Sequence, residues 1–137
     1  MTLTRAQVSL ATVFVVGLVS QIAIMFYTRH KGAIYPDEQT TLISKLLGVY
    51  AVHLAVIIGG VFSQQIENQQ QVPVFAFWFA LVLAAVWNLL LLSRSASFIF
   101  PKEGADTVGE YVTYLTTIAS ASSFLVAAAL AFFFTRR

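Results

Sequence analysis

Polar and apolar positions along this chain separate into blocks rather than alternating. Four apolar runs, residues 8–27, 43–62, 73–92 and 111–134, are divided by short polar stretches. Each run reaches the length of about 20 residues that a helix rising 1.5 Å per residue needs to cross a hydrocarbon core near 30 Å. The first, third and fourth contain no Asp, Glu, Lys or Arg, and the second contains only Lys45, close enough to its start for the long stem to reach the interface. The pattern predicts an all-α fold: one domain, an integral membrane bundle of four transmembrane helices with short loops, whose first partner is the lipid bilayer.

The punctuation agrees with these limits. Pro36-Asp37-Glu38 places a proline and two acids at a helix start, Pro73 suits a first helical position, and Thr107-Val108-Gly109-Glu110 has the form of a capping box. Tyr27, Tyr35, Tyr111 and Tyr114 fall near run ends, where an aromatic belt is expected. The loops 28–42, 63–72 and 93–110 are too short for a folded domain. The glutamine-rich segment 64–71 reads as a solvated turn, and Phe98, Ile99 and Phe100 as a patch lying in the interface. The N-terminal run continues without a cleavage pattern and is expected to stay as an anchor.

Four spans put both termini on one side. Loops one and three with their flanks carry Arg29, Lys31, Lys45, Arg94 and Lys102, against Arg5, Arg136 and Arg137 on the other side. The basic count leans toward cytoplasmic loops one and three, but the difference is too small to fix an orientation. Arg29, Lys31, Lys45 and Arg94 are the candidates for contact with lipid headgroups. A plasma membrane, in bacteria the inner membrane, is the expected location.

Composition narrows the chemistry. The chain is 58% apolar and 10% charged, with a mean hydropathy of +0.80, whereas a soluble domain is about a quarter charged. Its eight basic residues are scattered, so nucleic acid is not an expected partner. The absence of cysteine excludes disulfides, thiol catalysis and thiolate metal sites. Asp37, Glu38, Glu67, Glu103, Asp106 and Glu110 all lie in loops or at run ends, leaving no intramembrane acid. His30 and His53 are not at metal-ligand spacing, and no nucleophile or phosphate-binding motif is present. No metal, no cofactor and no enzymatic activity are expected.

Helices in lipid approach closely where small residues repeat. The second run carries Ser44, Gly48, Ala51, Ala55 and Gly59. The third carries Ala76, Ala80 and Ala84, continued by Asn88, and the fourth carries Ala119, Ser123, Ala127 and Ala131. These stripes predict close contacts within the bundle. His53 lies opposite the Gly48–Gly59 stripe, beside Leu46, Tyr50, Ile57 and Gly60 on the helix wheel. If that stripe packs inside the chain, His53 faces a second protein surface or a wet cavity, because lipid satisfies neither its donor nor its acceptor. By depth, Gln21, Tyr50, Asn88, Thr116 and Ser120 fall roughly 6 to 14 Å into the hydrocarbon, with His53 just below.

Such a polar layer reads either as the lining of a hydrated pathway or as a set of interhelical hydrogen bonds. The expectation carried forward is a homo-oligomer whose protomers line an ion or small-solute pathway between them, with membrane depolarisation as one consequence. The competing expectation is a non-catalytic accessory or assembly subunit among other membrane subunits.

Overall fold

A computed structural model describes residues 2–63, 71–99 and 107–134. The segment 64–70, Phe100, Lys102, Glu103, Asp106, Arg136 and Arg137 lie outside the described residues. The chain is all-α, built from α1 (Leu3–His30), α2 (Pro36–Ser63), α3 (Val74–Ala96), α4 (Val108–Tyr114), a π-helical turn (Leu115–Ala119) and α5 (Ser120–Phe134). The first three long helices are each long and apolar enough to cross a membrane, and the last two, bent by 44° where the π-turn joins them, reach that length only together and are counted below as one bent fourth span.

The helices run past the apolar blocks because their ends are locally satisfied. At the close of α1, Gly32 adopts φ 73°, a left-handed conformation that glycine tolerates. The Gly32 and Ala33 amides then donate to the carbonyls of Arg29 and Thr28 at 2.9 and 3.0 Å. Pro36 opens α2, with the Tyr35 amide donating to Glu38 Oε2 at 2.7 Å. Pro73 stands one residue earlier than expected, at the N-cap of α3. Thr107 and Glu110 form the capping box, the Glu110 amide donating to Thr107 Oγ1 at 3.2 Å and the Thr107 amide to Glu110 Oε2 at 2.6 Å.

α1 and α5 each pack against both α2 and α3. The buried positions step by three, four or, once, seven residues: Leu10, Phe14, Gln21 and Met25 on α1, with half-buried Gly17 in the gap, Leu46, Tyr50, His53 and Ile57 on α2, Ala80, Ala84, Trp87 and Leu91 on α3. That spacing keeps one seam of each helix on a common axis, as in a left-handed bundle. Where α1 begins and α5 closes, Gln7 Nε2 donates to the Phe133 carbonyl at 2.7 Å. Gly60 meets Phe134 there, and a β-carbon on Gly60 would come within 2.8 Å of the Phe134 carbonyl oxygen.

The face of α2 that turns inward is the reverse of the expected one. Gly48, Ala51, Ala55 and Gly59 are exposed on the outside of the chain, and a β-carbon at Gly48 or Gly59 would meet nothing within 4 Å. His53, Tyr50, Leu46, Ile57 and Gly60 form the buried side instead. The physical reason is that Tyr50 and His53 carry groups that lipid cannot satisfy, whereas a glycine or alanine can face lipid at little cost. On α3 the expected stripe does face inward: Ala80, Ala84 and Asn88 are buried and Ala76 is half-buried. On the fourth span Ala119 is buried, while Ser123, Ala127 and Ala131 lie at the edge of the buried face.

Candidate functional site

The polar side chains of the spans meet at two adjacent levels of the core. The upper level draws on all four spans. Gln21 Nε2 on α1 donates to Tyr50 Oη on α2 at 2.6 Å, and Tyr50 donates onward to Asn88 Oδ1 on α3 at 2.6 Å. Asn88 Nδ2 donates to the Ala84 carbonyl of its own helix at 2.8 Å. On the other side, Ser95 Oγ and Tyr111 Oη stand 2.6 Å apart and each lies 3.4 Å from Gln21 Oε1, while the Leu91 carbonyl, 3.1 Å from Ser95 Oγ, competes for the one Ser95 hydroxyl hydrogen. Gln21, Tyr50, Ser95 and Tyr111 are completely buried, and Asn88 is 7% exposed. Short bonds thus join Gln21, Tyr50 and Asn88 and, separately, Ser95 and Tyr111, and the 3.4 Å contacts at Gln21 Oε1 bring the two groups together.

Gly17 makes this level possible. A β-carbon at Gly17 would overlap the Asn88 carboxamide and stand 3.1 Å from Tyr50 Oη, so α1 reaches the Tyr50–Asn88 pair only because residue 17 has no side chain. Outside that contact, an open groove of about 380 Å³ runs between α1 and α3, with Gly17, Ser20, Asn88 and Leu92 in its walls.

The lower level is built around His53, one turn along α2 from Tyr50. Its ring packs against Phe14 at 5.2 Å between centroids and edge-on to Trp87 at 4.7 Å and 88°. His53 Nε2 lies 3.2 Å from Ser123 Oγ on α5. Its other nitrogen, Nδ1, is buried and has no hydrogen-bond partner among the described residues. Trp87 Nε1 donates at 3.3 Å to the carbonyl of Ala119, the last residue of the π-turn.

The structure therefore gathers Gln21, Tyr50, Asn88 and His53 in the interior and leaves two other candidates out. Thr116 and Ser120 are exposed on the outer side of the fourth span, where Thr116 Oγ1 donates to the Val112 carbonyl at 3.0 Å. A hydroxyl on a transmembrane helix can satisfy itself this way without a neighbour. Tyr111 had been expected in the interfacial belt and is instead an interior link. Ser95, Tyr111, Trp87 and Gly17 were missed as members of the site. Ser95 and Tyr111 fall at the ends of their spans, and Gly17 stands in no stripe, so spacing gave no signal for them.

The basic residues lie apart from this core. Arg29 Nη1 donates to Gln39 Oε1 at 2.6 Å, Lys31 Nζ lies 5.7 Å from the Tyr27 ring centre, and the Arg94 guanidinium stands 4.8 Å over the Tyr114 ring. Lys45 is exposed. Arg29, Lys31 and Arg94 all belong to the end of the bundle that carries loops one and three.

Among the described residues no three His, Asp or Glu side chains gather where they could hold a metal. The polar groups gathered here, among the described residues, are amides, hydroxyls and one imidazole. The hydrogen bonds described here join one helix to another. No family model, no curated protein and no solved structure matches the chain.

Proposed function

We propose that this chain is a non-catalytic structural subunit of a membrane assembly, a pre-locked bundle that associates with copies of itself through its outer helix faces. The observation that carries this reading is the mutual pairing of the buried polar groups, Gln21 with Tyr50 and Tyr50 with Asn88 at 2.6 Å each, and Ser95 with Tyr111 at 2.6 Å. At this level, groups that a pathway or an active site would present to a solute are instead held by one another. The bundle fixes its own register and leaves α2 to offer its smallest residues, Gly48, Ala51, Ala55 and Gly59, outward. The test is the mass of the detergent-solubilised and nanodisc-embedded protein, with and without Ala51→Leu plus Ala55→Leu. A defined oligomer that the double substitution dissociates supports the reading, and a monomer under every lipid and detergent condition contradicts it.

A second reading, an ion or small-solute pathway between protomers, is favoured by one observation. Thr113, Thr116, Thr117 and Ser120 are all exposed along the outer side of the fourth span. In an oligomer that faces these hydroxyls together, they would line the intervening space. Thr116→Cys and Ser120→Cys should then react with a water-borne thiol reagent in liposomes and block a measurable flux. Unreactive thiols and tight liposomes leave the structural reading alone.

A further inference from the structure

The fourth span carries the one π-turn among the described residues, and that turn sits beside the under-satisfied level of the core. A π-turn holds about one residue more than the α-helix around it would. Two side chains from neighbouring helices grip the span at and just past this turn: the Trp87 indole on the Ala119 carbonyl at 3.3 Å, and His53 on Ser123 at 3.2 Å. Both distances lie at the long edge of the hydrogen-bond range, and His53 Nδ1 has no partner among the described residues to hold the ring in place.

If the extra residue were wound into regular α-helix, everything past the turn would rotate by up to about 100°, one residue position. With α4 held still, each residue of α5 would then take the place now held by the residue after it. Ser122 would replace Ser123 opposite His53, and Phe133 would replace Phe134 opposite Gly60. The sequence supplies a like residue at both places, serine for serine and phenylalanine for phenylalanine. The imidazole keeps a hydroxyl partner in either setting, and the Gly60 notch keeps an aromatic ring.

We propose that Leu115–Ala119 is a rotation joint with two settings one residue apart, Ser123 facing His53 in one and Ser122 in the other. A mere local irregularity would not predict a paired residue at both contacts. The device lies wholly within one chain and does not depend on how copies assemble.

The chain contains no cysteine, so introduced thiol pairs report alone. His53→Cys is combined with Ser123→Cys or with Ser122→Cys. Each pair is oxidised in the membrane and the disulfide is read by mass spectrometry. Both pairs should form, the Ser123 pair in excess. Deleting Thr117 removes the extra residue while preserving the present facing, so the Ser122 pair should fall at least five-fold and the Ser123 pair persist. Failure of the Ser122 pair in the chain that retains Thr117 overturns the joint even if the deletion variant does not fold. Its formation at equal yield with and without Thr117 overturns it as well, because that result reflects general looseness of α5.

Discussion

Tyr50 and His53 stand one turn apart on the same face of α2, both completely buried and both against Phe14 and Trp87. The Tyr50 hydroxyl accepts from Gln21 and donates to Asn88, and is saturated. The imidazole has one long contact to Ser123 and one nitrogen without a partner among the described residues. Equal burial thus hides opposite energetic roles. The Tyr50 level holds four spans in one register, because any slip leaves several polar groups unpaired in a low-dielectric interior. The His53 level gives up little when its one contact is lost, and it is the level that adjoins the π-turn.

The contrast is open to test by substitution, read as unfolding free energy in mixed micelles. The largest effect is expected from Gly17→Leu, which drives a side chain into Asn88 and Tyr50. It combines overpacking of about 1–3 kcal/mol with stranded polar groups at about 1–3 kcal/mol, enough to abolish the folded bundle. Ala84→Leu should follow at about 1–3 kcal/mol, since Ala84 is 1% exposed. Val82→Leu, a smaller enlargement at a side chain that is 55% exposed, should cost less than about 0.5 kcal/mol. Equal effects at Val82 and Ala84 would mean that the alanine stripe on α3 is composition and not packing.

Tyr50→Phe should cost about 1–2 kcal/mol, because it strands Gln21 Nε2 and Asn88 Oδ1 together while keeping the ring. The smallest effect is expected at His53→Leu, within about 0.5 kcal/mol of the parent, since leucine removes a nitrogen that nothing satisfies and fills similar space. A loss at His53→Leu as large as that at Tyr50→Phe would erase the difference between the two levels.

The boundaries of the spans were legible because each is a block of uncharged residues bracketed by strong signals, the capping box at Thr107 and the proline at Pro36 among them. The rotation of α2 was not, and the reason is instructive. Hydropathy carries no phase in a helix that is apolar all round, so the choice fell between the small residues and the polar ones. Gly48, Ala51, Ala55 and Gly59 argued for one face, Tyr50 and His53 for the other. In lipid the polar pair decides, since the cost of an unpaired hydroxyl or imidazole exceeds the gain from a close backbone approach. The same rule read correctly on α3, where Asn88 continues the Ala80–Ala84 stripe and both signals point one way. Ser95 and Tyr111 escaped notice because a residue at a span end is satisfied by interfacial water as easily as by a neighbour, and sequence depth does not tell which. The π-turn has no proline or glycine to mark it and follows from tertiary contacts.

The central claim, that the two levels differ in the strength of their interhelical coupling, is tested most directly by two double-mutant cycles in the same micelle. One pairs Tyr50→Phe with Asn88→Ala, the other His53→Leu with Ser123→Ala. Hydrogen bonds between membrane helices average about 0.6 kcal/mol by this method and reach about 1.7. The Tyr50–Asn88 coupling is expected in the upper part of that range, about 1 kcal/mol or more, and the His53–Ser123 coupling below about 0.3 kcal/mol. Couplings of equal size, or a stronger one at His53, would contradict the account.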